Sequence, residues 1–291
     1  MKLTHNKYNL LDLGNIIAVE LFCVLKDIKT VSRFNVGLAN LKSFKQFCKK
    51  LCLECEENNF NIEISKSYDK KQIDSGVTKI SSEKNACFVF VSKNQKNIKE
   101  IKEAENLLEK KFNHKKIGEL LGYPNCCTDF YIKNRTEAGE KRNDDYTLIT
   151  LQKSKGFVFP FYLNNALRYF NSAIITFFPC SYSCPKAIDL SKKIFQEIQK
   201  ASPEFTNFLE DKLKCVVIYT DFDGVHLIRD FDFEKNIIKY KTVESTCKNE
   251  LNKILCEADE LKIVNKNFIK VIKDKKIVKI LKKNCGIMMF K

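Results

Sequence analysis

Four cysteines fall into two tight pairs, in Tyr123-Pro-Asn-Cys-Cys-Thr-Asp-Phe130 and Phe178-Pro-Cys-Ser-Tyr-Ser-Cys-Pro185. Cys126 and Cys127 are neighbours. Cys180 and Cys184 have three residues between them, enough for one loop to wrap an ion or a cluster. Both pairs lie where a turn is expected to feed a helix N-terminus. Exposed N–H groups and the positive dipole end there favour thiolate, the form of cysteine that binds metal. Pro124, Pro179 and Pro185 flank the pairs and are three of the five prolines in the chain. They stiffen the loops without leaving orphan donors. The pattern points to one four-thiolate site made of Cys126, Cys127, Cys180 and Cys184.

Zinc sites usually use two Cys-x-x-Cys knuckles, and adjacent cysteines do not make one. Neighbouring side chains are expected to diverge, which suits an iron–sulfur cluster, expected to be 4Fe-4S, with zinc as the alternative. Four thiolates on a cluster would serve electron transfer or structure; three, with an open iron, would serve catalysis. The plain alternative is a set of small core residues or a redox pair. Cys48, Cys52 and Cys55 include a Cys-x-x-Cys but share the apolar face of an expected helix, so packing is the expectation for them. Cys23, Cys87, Cys215, Cys247, Cys256 and Cys285 are scattered and expected to be structural.

The other polar candidates are few. Tyr123 and Asp129, with Ser181 and Tyr182, lie beside the cysteines in sequence. Asp221, Asp223 and His226 form a carboxylate–histidine group that acid–base or divalent-ion chemistry would use. Aspartates satisfying a tight turn are the simpler reading. His114 is placed to cap a helix. Nucleotide-binding glycine loops, a nucleophile elbow and a zinc-protease helix motif are absent from the sequence.

These residues need positioning elements. Apolar spacing predicts helices over 9–26, 38–56, 96–112, 114–121 and 161–170. Gly122 stops the fourth, and Pro124 starts a helix to about Asn134. Another helix runs from Pro185 to about Lys200. Strands are expected around 60–64, at 86–92 and at 173–178. Residues 66–85 and 135–150 are polar and read as loops. From 215 onward the pattern turns to strands: 215–220, 225–231, 236–243, 260–264, 267–273, 276–282 and 286–290, with a helix over 244–258. Asp221-Phe222-Asp223-Gly224 and Lys273-Asp274-Lys275 mark turns. The expected fold class is α+β. A helical or α/β N-terminal module (1–95) precedes a central α/β region with the cysteine motifs (96–210) and a β-rich C-terminal region (211–291).

The 291 residues carry a formal charge of +15 and are 44% hydrophobic. A polyanion such as RNA is one reading of that charge. However, only five of the 51 basic residues are arginine, the residue that base recognition and phosphate clamps favour. The lysine bias equally fits AT-rich coding. No apolar stretch is long enough for a bilayer span, and the N-terminus lacks a signal-peptide core, so a cytoplasmic protein is expected. Thirteen cysteines in such a chain imply mostly reduced thiols.

Ile117-Gly-Glu-Leu-Leu-Gly-Tyr-Pro-Asn-Cys-Cys127, Pro179-Cys-Ser-Tyr-Ser-Cys184 and Tyr219-Thr-Asp-Phe-Asp-Gly-Val-His226 resemble an uncharacterised family known from methanogenic archaea. The similarity spans roughly residues 95–291. It implies an archaeal, cytosolic, anaerobic setting and no specific reaction. The functional expectation is a metal-binding protein with a redox or metalloenzyme role. The alternative is a lysine-rich RNA-binding or RNA-modifying protein with a structural zinc. No enzymatic activity is assigned.

Overall fold

The computed structural model describes residues 1–65, 77–80, 86–106, 111–142 and 144–291. In chain order the elements are β1 (Thr4–His5), β2 (Tyr8–Asn9), a 3-10 turn (Leu10–Leu13), α1 (Asn15–Leu25), β3 (Val31–Gly37), α2 (Leu38–Lys50), β4 (Glu54–Ser65), β5 (Val77–Ile80), β6 (Ala86–Ser92) and α3 (Gln95–Ala104). The central part follows with β7 (Glu105–Asn106), β8 (Lys111–Phe112), α4 (His114–Leu120), α5 (Asn125–Arg142), α6 (Thr147–Lys153), β9 (Val158–Phe159), 3-10 segments at Phe161–Leu163 and Asn165–Phe170, α7 (Pro185–Ala201) and α8 (Pro203–Leu213). The C-terminal part holds β10 (Val216–Thr220), β11 (Val225–Glu234), β12 (Ile237–Ser245), α9 (Glu250–Glu257), β13 (Glu260–Asn265), β14 (Phe268–Lys273), β15 (Lys276–Lys282) and β16 (Cys285–Phe290). The fold class is α+β.

A four-stranded antiparallel sheet, β3-β6-β4-β5, opens the chain. Alternate side chains face opposite ways along a strand. Phe34, Val36, Val89 and Val91 therefore pack with α1 and α2, while Val31 and Phe90 pack with Ile98, Ile101 and the residues of α4. The larger sheet has the order β15-β14-β13-β12-β11-β10-β16-β9, antiparallel except for the β16–β9 pair. Val216 to Tyr219 is buried on both faces, which explains its unbroken apolar run. Val217, Tyr219, Met288 and Phe290 face the helical centre of the molecule. Val216, Ile218, Ile287 and Met289 face Leu251 and Leu255 of α9. The main core draws residues from Leu3 to Phe290, so all three parts of the chain contribute to it.

Several expectations need correction. Residues 135–150 are not a loop: α5 continues to Arg142, and α6 starts at Thr147. The apolar run 173–178 is buried but irregular rather than a strand. The 38–56 helix stops at Lys50, because Cys52 takes φ +57° and turns the chain into β4. The 96–112 helix stops at Ala104 and gives way to the β7–β8 pairing. Within 66–85, β5 breaks the expected loop, and its other residues lie outside the described set. Among the described residues, no helix is long and apolar enough to cross a membrane.

Candidate metal centre

The first cysteine pair is set by how α4 ends. Gly122 adopts φ +72°; its N–H donates to the Glu119 carbonyl, and the Tyr123 N–H donates to the Gly118 carbonyl. This is a Schellman closure, which glycine makes without a Cβ penalty. The chain reverses, and the Pro124 carbonyl accepts from the N–H groups of Cys127 and Thr128 to open α5. Pro124 thus caps the helix rather than occupying its first turn. Cys126 and Cys127 sit in that first turn. α4 and α5 pack closely at Gly118, where a Cβ would stand 2.4 Å from Thr128 Oγ1.

The second pair is held by α6. Thr150 Oγ1 donates to the Pro179 carbonyl at 2.9 Å, and the Tyr182 N–H donates to Ser154 Oγ at 2.8 Å. Tyr182 is fully buried, with its ring 5.0 Å from that of Phe159 and its hydroxyl donating to Asn165 Oδ1. Cys184 caps α7, and Pro185 opens it. Lys266 Nζ, reaching from the β13–β14 turn, donates to the carbonyls of Leu151, Gln152 and Ser154 at the end of α6.

These two constructions meet. Cys126 Sγ lies 3.6 Å from Cys184 Sγ and 4.0 Å from Cys127 Sγ, and Cys127 Sγ lies 3.9 Å from Cys184 Sγ. With Cys180, all four sulfurs lie within 4.8 Å of one another, compatible with metal binding. Neighbouring Cys126 and Cys127 therefore converge rather than diverge. Cys127 and Cys184 are buried, whereas Cys126 and Cys180 are partly exposed.

Electrostatics at the site are mixed. Burial, and then the neighbouring thiols, push Cys127 upward, opposed by the Cys180 N–H. Burial and the contact with Cys184 push Cys180 up to about 12. At Cys184 burial acts upward, but the Ala187 N–H and the surrounding thiols prevail and lower it. Two thiolates about 4 Å apart repel by about 4 kcal/mol at an effective dielectric constant of ~20. Four can ionise together only around a cation.

Of the other candidates, Tyr123 packs on Phe177 with the rings 4.9 Å apart and tilted by 37°, and lies under Lys29 Nζ. Asp129 is exposed, one turn along α5 from Cys126, and pairs with Lys115 at 3.6 Å. Ser181 Oγ bonds Ser154 Oγ and Ser183 Oγ within the loop.

Asp221, Asp223 and His226 sit elsewhere. Asp221 pairs with Arg142, at the opposite end of α5 from Cys127, about 22 Å along the helix axis. The Asp223 N–H donates to Thr220 Oγ1, and its carbonyl accepts from Cys247 Sγ and Asn249 Nδ2. His226 is fully buried, with Nδ1 bonded to Ser245 Oγ; burial lowers its pKa to about 4. Asp221 is thus tied by its carboxylate to α5, and Asp223 by its backbone to Thr220 and to the segment that leads into α9.

The second cysteine group is also divided. Cys48 is buried on α2, Cys55 lies on β4, and Cys52 is exposed in the turn between them, so the three do not share a helical face. Contact with Cys55, and then burial, push the Cys48 thiol up. His114 begins α4, but the Asn113 side chain caps it; the His114 ring stacks on Phe112.

Sequence reasoning missed the supports. Thr150 and Ser154 carry no motif. Glu20 and Lys29 form a buried ion pair that also takes hydrogen bonds from Ser32 and Thr176 and packs against Gly122. Its only sequence signal is a lone charge, Glu20, inside the apolar run of α1.

No curated protein and no solved structure matches the chain. The Asp221–His226 motif lies outside the family match, which covers less of the chain than the expected 95–291. Residues 87–214, the stretch that carries both cysteine pairs and α6, match the model of a family described as a protein of unknown function, DUF483.

Proposed function

We propose that this is a metal-binding protein in which Cys126, Cys127, Cys180 and Cys184 hold a single tetrahedrally coordinated ion, zinc in the first instance. The observation that carries the reading is the sulfur spacing, 3.6, 3.9 and 4.0 Å among Cys126, Cys127 and Cys184, with Cys180 completing a set that lies within 4.8 Å. A tetrahedron with Zn–S bonds of ~2.3 Å has an edge of about 3.8 Å. An iron–sulfur cluster, which the adjacent cysteines alone favour, spreads its thiolates over separate irons and needs a wider cage. Four thiolates fill the coordination sphere of zinc and leave no position for substrate, so the ion's role is to join the first turns of α5 and α7. Thiolate ligation also requires a reducing setting, which the cytoplasm supplies.

Anaerobic purification followed by zinc, iron and acid-labile sulfide analysis tests this. One equivalent of zinc without sulfide is the expected result. Iron with matching sulfide would overturn the single-ion reading in favour of a cluster. A metal-free protein with native folding would overturn the metal site altogether.

A further inference from the structure

The solvent face of the far end of the large sheet has no role in the metal centre. Cross-strand register puts Lys262 opposite Lys270, Lys270 opposite Ile280, and Phe268 opposite Lys282. Period-two alternation and the Lys239–Glu260 pair add Lys241 to the same face. The reverse face of these strands, with Leu261, Ile269, Val271 and Leu281, is buried against α9.

The exposed face is electrostatically unbalanced. Its border carries Asp232, opposite Lys239, Glu234, opposite Ile237 and paired with Lys235, and Glu260, whose ion pair is with Lys239. Among the described residues, no ion pair joins Lys241, Lys262, Lys270 or Lys282 to a carboxylate. Like charges directly opposite one another, as at Lys262 and Lys270, destabilise a sheet. Amid these cations lies the half-buried ring of Phe268, with Lys282 Nζ 4.4 Å and Lys270 Nζ 5.9 Å from its centre.

We propose that this face, on β12 to β15, docks a single-stranded nucleic acid. Lysine ammonium groups neutralise backbone phosphates, and Lys282, on moving from the Phe268 ring to a phosphate, frees that ring as a platform on which one base can stack. An open sheet face suits an unpaired strand, since a duplex groove is read by an inserted helix or ribbon. A second copy of this chain would bring lysine against lysine. The named face offers lysine rather than arginine, so binding follows phosphate charge with little base preference.

The test uses the 291-residue protein as purified anaerobically and a fluorescein-labelled 15-nucleotide mixed-sequence RNA, read by anisotropy. With four lysines each neutralising one phosphate, affinity should fall about fiftyfold between ~50 and ~200 mM salt. Lys262→Glu/Lys270→Glu should weaken binding more than about tenfold, and Phe268→Ala about fivefold. Lys42→Glu/Lys49→Glu, on the exposed side of α2, is the charge-matched control and should leave affinity within about twofold. Circular dichroism verifies that each variant is folded. Equal loss in the control pair, equal affinity for a duplex, equal affinity for a poly-glutamate of the same length, or no binding would each overturn the proposal.

Discussion

The backbone N–H of Cys180 donates to Cys127 Sγ at 3.4 Å, so the two cysteine loops are joined through main chain as well as through sulfur. Such a bond stabilises thiolate at Cys127 and is worth more once the sulfur is ionised. Cys127→Ser and Cys184→Ser, at the buried positions, should each abolish bound metal. They should also lower Tm by more than about 10 °C relative to the loaded protein. Cys48→Ala should retain a full equivalent. Metal content after gel filtration, read with a thermal melt, checks both; metal loss from the Cys48 variant would move the site elsewhere.

Gly118 is fixed by its neighbour. A Cβ there would meet Thr128 Oγ1 at 2.4 Å and Cγ2 at 2.7 Å. Gly118→Ala should cost about 2 kcal/mol by forcing α4 away from α5. Adding Thr128→Ala removes both clashing atoms and should recover most of the loss. Urea unfolding of the three variants decides it; no recovery in the double variant would locate the strain elsewhere.

Glu20 and Lys29 bury opposite charges where the N-terminal part meets the α4–α5 turn. Burial opposes the Lys29 charge, but the attraction of Glu20 prevails and raises its pKa. Removing one partner leaves an uncompensated buried charge, so Lys29→Met and Glu20→Leu should each cost about 3–5 kcal/mol. The double variant should cost clearly less than the two losses combined. Strict additivity in a urea double-mutant cycle would contradict a coupled pair.

His226 supplies a pH signature. Its folded pKa is about 4, below the unfolded value of 6.5. Between these values the unfolded chain takes up a proton that the folded chain refuses. Stability is therefore unaffected by this group above pH 6.5 and falls as pH drops toward 4, by about 3 kcal/mol in total. His226→Gln should flatten that limb. Chemical denaturation at pH 7.5, 6 and 5 would show the wild-type and variant curves converging toward acid; parallel curves would refute the assignment.

The C-terminal strands were legible because their signals are local. Asp274 and Lys275 take φ +49° and +64°, the paired left-handed turn that joins β14 to β15, and alternation flanks them. The continuation of α5 was not legible. Residues 135–142 expose polar side chains, and only Ala138 is buried there, so no apolar stripe announces the helix. The apolar run 173–178 signalled burial correctly, but periodicity alone does not fix backbone conformation. At the candidate metal centre, residue types and helix starts picked out the four cysteines whose sulfurs lie within 4.8 Å of one another. Their convergence depends on Schellman geometry at Gly122 and on hydroxyl clamps from Thr150 and Ser154, none of which has a spacing that chemistry demands.

α5 is a single rigid rod gripped at both ends, by sulfur in its first turn and by the Arg142–Asp221 pair in its last. The neighbouring hairpin tip presents Phe222, 60% exposed. A helix that starts among the four sulfurs thus ends on the residue next to the most exposed aromatic ring of the β10–β11 turn.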